Sequence, residues 1–231
     1  MKFEDLLELI KNQGTIRKLK SDPIPENYLN KIFRIARWSP SAANTQPWEF
    51  VVVRKQKTKE EIAQILIDSQ EKAEKEDEVF PYSDKEKLKN RVTTPPILIG
   101  VCADTRFKRA FPEFGYREQN LDVSMGIVIQ NMILAAKSLG LALSWGTINS
   151  FARPKLQELL NIPKELKLME ILQLGVPAEK SVPGDRRNVQ DLIHEEELDD
   201  SRIRSDEEIN RLISSRESPD LYSSNENKKG E

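Results

Sequence analysis

Two short basic clusters are the residues of this 231-residue chain best suited to hold a charged ligand: Thr15-Ile16-Arg17-Lys18 and Asp185-Arg186-Arg187-Asn188. An arginine with a hydroxyl nearby suits a phosphate monoester, because the guanidinium fork matches its oxygens. By composition alone each cluster reads first as ordinary surface charge, with an anion site as the alternative. Other chemistries are excluded more firmly. No Gly-x-Gly-x-x-Gly, no Gly-x-x-x-x-Gly-Lys and no Gly-x-Ser-x-Gly occurs, which removes two nucleotide grips and the hydrolase elbow. One cysteine, Cys102, and one histidine, His194, leave no disulfide framework, no cysteine zinc site and no histidine-pair metal motif. The carboxylates gather in charge runs such as 74–78 and 195–197, which read as solvated faces. If the chain is an enzyme, a cofactor carries its hard chemistry.

The elements that must position these groups follow from apolar spacing. Phe3, Leu6, Leu7 and Ile10 predict a helix over residues 2 to 12. Pro25 opens a second helix ending near Trp38. Residues 39–47 are small, polar and proline-rich, a loop by composition. Strands are predicted over 50–53, 97–102, 141–145 and 168–174, with a short helix at 154–160. Residues 121–139 are apolar nearly all round, as in a helix buried on most faces, and Gly140 stops it. Residues 55–91 are mostly charged and read as a surface helix running into a solvated, mobile insertion around residues 71–90, with substrate gating by 71–90 as the other reading. Phe107, Phe111, Phe114 and Tyr116 form either an aromatic lid or a core plug. With a net charge of −2 the chain has no global field for nucleic acid or anionic membrane. No apolar run reaches bilayer length and the first ten residues carry three acids, so a cytoplasmic protein is expected.

Two stretches carry a resemblance. Residues 15–25, Thr-Ile-Arg-Lys-Leu-Lys-Ser-Asp-Pro-Ile-Pro, and residues 36–53, with Pro-Ser, then Asn44, then Gln46-Pro47-Trp48 before an apolar strand, resemble the nitroreductase family of FMN-dependent flavoproteins. The likeness continues through Pro95-Pro96, the 121–140 helix, Leu174-Gly175-Val176-Pro177 and residues 186–194. It implies an α+β sandwich with a mainly antiparallel central sheet between helices, in a homodimer with FMN at the subunit interface. It also implies hydride transfer from NADH or NADPH to flavin N5, then ping-pong reduction of a small acceptor such as a nitroaromatic or quinone.

By that resemblance Thr15, Arg17, Arg186 and Arg187 hold the FMN phosphate, ribityl chain or pyrimidine edge. Ser39, Pro40, Ser41, Ala42 and Asn44 form a loop reaching the flavin from the other subunit, and Gln46 braces it. Gly146, Thr147 and Ile148 fall where the family sets a backbone N–H near N5. Gln13 and Gly14 stand where family members carry arginine, so one phosphate cation is missing. The fold domain is expected over residues 1–198. The acidic, serine-rich tail 199–231 is either disordered or an arm wrapping the partner through Ile209, Leu212, Ile213 and Leu221. The alternatives to a general reductase are a specialised flavin reaction on the same fold (reductive dehalogenation or flavin breakdown) and a non-catalytic FMN-binding or partner-binding protein.

Overall fold

Four apolar runs pair into one sheet because each carries alternating side chains that can be buried on both faces. In the computed structural model, which describes residues 2–14, 16–75, 84–181, 183 and 186–214, the strands are β1 (Trp48–Val53), β2 (Ile97–Asp104), β3 (Ala142–Ser144) and β4 (Leu166–Gly175). Their order is β1-β2-β4-β3, and every pair is antiparallel. All eight positions of β2 are buried, as in a strand covered on both sides. The third strand is shorter than its apolar run predicts, because Trp145 leaves the ladder and is half exposed.

Successive side chains of a strand face opposite ways, and the two faces of β2 and β4 build two cores. Ile97, Ile99, Val101, Leu172 and Leu174 pack against α2 (Glu26–Ala36) and α6 (Glu118–Ser138) through Leu29, Ile32, Leu121, Met125, Val128 and Met132. Leu98, Cys102, Leu168 and Ile171 face the other layer. That layer comprises α3 (Gln56–Lys75), α4 (Lys85–Thr93) and α7 (Ala152–Leu159), contributing Ile62, Val92 and Leu156. The result is the α+β sandwich with an antiparallel centre. Burial pushes the Cys102 thiol up to about 12, so it behaves as a small apolar residue.

The charged stretch 55–91 is more than a solvated surface. Residues 76–83, much of the expected insertion, lie outside the described residues; of the rest, the outer positions are exposed, but Ile62, Ala63, Ser69, Gln70 and Arg91 are buried. Lys59 is buried as well; its Nζ donates to the carbonyls of Thr93 (3.0 Å) and Pro95 (2.7 Å), stitching α3 to the entry of β2. Desolvation lowers the pKa of that ammonium. The aromatic run after β2 begins with a short helix, α5 (Phe107–Ala110), and Phe107, Phe111 and Tyr116 pack against the α6 core. These three plug the core; the Phe114 side chain lies outside the described residues.

Two amphipathic helices have no fully buried residue within the described chain. The α1 helix (Phe3–Lys11) exposes Phe3, Leu6 and Ile10, and α8 (Asp206–Ser214) exposes Ile209, Leu212 and Ile213. Leu221, the last residue of the expected arm, lies outside the described residues.

Candidate functional site

The structure gathers the predicted site residues into distinct groupings. The first is a tie between the N-terminal segment and the end of β4. Leu19 forms a bridge with Pro177. The Lys20 N–H donates to Val176 O (2.8 Å) and the Ala178 N–H to Lys18 O (2.9 Å). Glu179 Oε1 accepts the backbone N–H groups of Arg17 (2.9 Å) and Lys18 (3.1 Å). Ile16 and Leu19 bury beside Ala142 of β3, so Arg17 is carried on backbone that cannot drift from the sheet. Thr15, its expected companion, lies outside the described residues. Gln13 is committed elsewhere: its Oε1 accepts from Gln130 Nε2 of α6 at 2.7 Å.

Gly175 is what lets the tie close. A Cβ there would sit 3.0 Å from Leu19 Cβ, 3.3 Å from Leu19 Cδ1 and 3.4 Å from Lys20 O. Gly175→Ala must therefore push the 16–20 segment off β4, at a cost of about 1–3 kcal/mol. Urea unfolding reads that loss; an unchanged midpoint would show that the segment gives way freely.

The second grouping is the loop 39–47. Ser39 is buried and its Oγ accepts from Asn131 Nδ2 (2.8 Å). The Ala42 N–H donates to Ser124 Oγ (3.2 Å), a second anchor on α6. Ser41 Oγ accepts the Gln46 N–H (2.9 Å), and Gln46 Nε2 reaches Asn44 O and Oδ1 (3.4 and 3.3 Å). Gln46 thus braces the loop. Thr45 Oγ1 donates to Ala42 O (2.9 Å) and lies 3.2 Å from the Tyr116 hydroxyl. Ala43, Asn44 and Gln46 have φ of 51°, 52° and 46°, the left-handed region that costs a non-glycine residue roughly 1–2 kcal/mol. Small side chains and a turned-out backbone leave main-chain groups of an exposed loop at the surface, while Pro40 itself is exposed. Strain held by surrounding bonds in this way is characteristic of ligand-clamping loops.

The third grouping surrounds residues 145–149, which lie outside helix and strand. Arg91 Nη2 of α4 donates to Ser144 Oγ (3.1 Å) and Trp145 O (2.6 Å). Arg153 of α7 donates through Nη2 to Ile148 O (3.2 Å) and through Nε to Leu168 O (2.8 Å). Asn149 Oδ1 accepts the Ala152 N–H (2.7 Å) and so starts α7. Beneath the segment, burial pushes the Glu170 carboxyl up to about 7, against the pull of a Trp145 side-chain hydrogen bond, the Arg153 charge and the Ile148 N–H. Its Oε2 is buried without a hydrogen-bond partner. A small cavity lined by Gln70, Arg91, Gly146, Thr147 and Gln173 lies behind the segment.

The basic pair after β4 is divided. Arg186 is exposed, whereas Arg187 Nη2 donates to the carbonyls of Asp191 (2.9 Å) and Arg202 (3.0 Å), pinning the chain that follows. Arg91, Arg153 and Glu170 were not legible as site residues in the sequence. One signal was present: Glu170 is a lone carboxylate inside the apolar run 168–174. Among the described residues no group of His, Cys, Asp and Glu could hold a metal ion. No described helix is long and apolar enough to cross a membrane.

Known proteins align with these features. Residues 10–176 match the nitroreductase family model. A Methanothermobacter thermautotrophicus protein, provisionally named an NADH dehydrogenase/NAD(P)H nitroreductase, is 32% identical over 184 residues, 79% of this chain and 81% of its own. Iodotyrosine deiodinase of Nematostella vectensis is 28% identical over 190 residues, 77% of this chain and 69% of its own. Nitroreductase A of Vibrio parahaemolyticus superposes with a TM-score of 0.69 at 19% identity, covering 91% of this chain and 83% of that one. The match spans both layers of the sandwich, from the last turn of α1 to the turn after β4, and the chain belongs to the nitroreductase family.

Proposed function

We propose that this family member is an FMN-dependent oxidoreductase working as a homodimer, with NADH or NADPH as donor and a small electrophile such as a nitroaromatic or quinone as acceptor. The observation that carries the reading is the 39–46 loop, whose left-handed backbone and small side chains suit close approach to a flat ring. The donor set fits FMN. A guanidinium at 17 and the basic pair 186–187 suit a phosphate, the loop offers hydroxyls and amides to ribityl and ring edges, and Gly146 and Thr147 offer main-chain N–H groups beside the buried Ile148. Bound FMN would supply the hydride and electron transfer that no protein side chain here can perform.

The chain's own work is binding and orientation. In this reading Thr15, Arg17, Arg186 and Arg187 neutralise the phosphate. Ser39, Pro40, Ser41, Ala42 and Asn44 approach the ring of the partner's flavin, with Gln46 as brace. Gly146, Thr147 and Ile148 face the reacting edge. Homodimerisation gives the exposed apolar stripe of α1 and the exposed Trp38 and Val123 a partner, and α8 can lie across it. Gln13, held by Gln130, leaves phosphate binding to the remaining arginines.

A second reading, reductive dehalogenation, is favoured by the deiodinase relative and by Arg91, which ties the 55–91 stretch to the 144–148 segment. The deciding experiment is an anaerobic visible spectrum of the purified protein with FMN, before and after NADH or NADPH. Flavin bands that co-elute with protein and bleach on reductant support the reductase. Bands that bleach only with another reductant, followed by halide release from a halogenated phenol, favour dehalogenation. No bound flavin at excess FMN overturns both readings.

A further inference from the structure

We infer that Tyr116, Ser124 and Asn131 are positioning residues that hold the strained turn of the 39–47 loop ready for its ligand; the inference rests on the FMN reading, which sets that loop against the flavin ring. Ala43, Asn44 and Gln46 have left-handed backbone, and a turn of that kind persists only where its surroundings fix it. The bonds from Gln46 to Ser41 and Asn44 lie inside the loop and move with it. The fixing comes from α6 and from the aromatic segment before it.

Donor and acceptor roles turn two of these ties into chains. Ser124 Oγ gives its proton to Asn120 O within α6 (2.7 Å), which leaves a lone pair for the Ala42 N–H (3.2 Å). Thr45 Oγ1 gives its proton to Ala42 O (2.9 Å), so the Tyr116 hydroxyl is the donor in its 3.2 Å contact with Thr45. Ala42 is therefore held at its N–H by α6 and at its C=O, through Thr45, by Tyr116. The left-handed run begins at the next residue. Two turns beyond Ser124, on the same face of α6, Asn131 Nδ2 donates to Ser39 Oγ (2.8 Å) and fixes the start of the loop. The far end is tied to the sheet, where the Asp104 N–H donates to Pro47 O (2.7 Å). Ser39, Tyr116 and Ser124 are buried, so these bonds are shielded from water. Tyr116 thus gives the aromatic plug a second use: its ring fills the core and its hydroxyl reaches the loop.

The test uses the full chain as purified, in wild-type form and as Tyr116→Phe, Asn131→Leu, Ser124→Val and Ser124→Thr. Valine and threonine have nearly the same shape, so the hydroxyl alone separates the last two. Before FMN is added, amide hydrogen exchange is followed for peptides covering 39–47 and, as reference, the central strands 97–101 and 170–174. The amides of Ala42, Asn44, Thr45 and Gln46 all donate in this arrangement and report its opening. In Tyr116→Phe, Asn131→Leu and Ser124→Val, exchange over 39–47 is expected to quicken by about three- to tenfold, with the reference strands unchanged. Ser124→Thr should keep most of the wild-type protection. With FMN bound, hydride transfer from saturating NADH or NADPH should slow by about three- to tenfold in the first three variants and recover in Ser124→Thr. Unchanged exchange over 39–47 in those three overturns the inference, as does a rise spread evenly over the reference strands or an equal loss in Ser124→Val and Ser124→Thr. Faster exchange with an unchanged rate of hydride transfer overturns the positioning role. A wild-type protein that takes up no FMN defeats the flavin reading instead, and the exchange comparison then decides whether these residues pin the loop.

Discussion

Arg17→Ala combined with Arg187→Ala is expected to lower FMN affinity by about a hundred- to ten-thousandfold. A hydrogen bond to a charged group contributes roughly 1.5–3 kcal/mol net, and each 1.4 kcal/mol is about tenfold in Kd. Two such anchors lost from one phosphate give that range, and Gln13 supplies no spare cation. Arg187 has a second task, because its guanidinium also holds the carbonyls of Asp191 and Arg202. A loss of affinity could then come from loosened chain rather than from lost charge. Arg202→Ala separates the two, since it frees Gln190 O and Ile193 O in the same stretch while keeping the Arg202 carbonyl that Arg187 holds. Fluorescence titration with FMN should show near-normal affinity in Arg202→Ala and little retention in the double variant. Full flavin occupancy in the double variant would overturn the phosphate assignment.

The sequence already displays the parts whose physics is local. Residues 97–102 and 168–174 are apolar runs of strand length between clear breaks, and both are central strands. The 121–139 run is helical because its apolar residues leave no polar face, and α6 buries Leu121, Met125, Val128 and Met132. The loop 39–47 was legible from its small residues and prolines, and its left-handed backbone shows why such residues stand there. What stayed hidden depends on distant partners. Ile62, Ala63, Ile65 and Leu66 form only a modest stripe among charges, and their value appears once β2 and β4 offer them a second core. Arg91 looks like one more charge on a basic helix until Ser144 and Trp145, some fifty residues later, come to meet it. No periodicity announces such a contact. Arg187 shows the converse: its type suggests an anion grip, while the folded chain sets its guanidinium on two carbonyls that no local pattern announces.

Glu170→Leu is expected to raise stability at pH 8 by on the order of 3 kcal/mol, and to leave it nearly unchanged at pH 4. In the folded protein this carboxyl titrates at about 7, far above the ordinary 4.5, with burial as the first cause. Below pH 4.5 folded and unfolded chains both hold the proton, so the residue is nearly neutral in its effect. Between 4.5 and 7 the unfolded chain gives the proton up while the folded chain keeps it, so stability falls as pH rises. Above 7 the folded carboxylate is also charged and the loss stays constant. Asp104 and Glu118 act in a different window. Hydrogen bonds from Arg106 to Asp104, and from Lys108 and Lys167 to Glu118, depress their folded values, so their contribution is present above about pH 4 and lost below it. The difference between variant and wild type cancels those groups. Urea unfolding at pH 5, 6, 7 and 8 should show wild-type stability sloping down while the variant stays level; parallel curves would show that Glu170 is solvated and titrates normally.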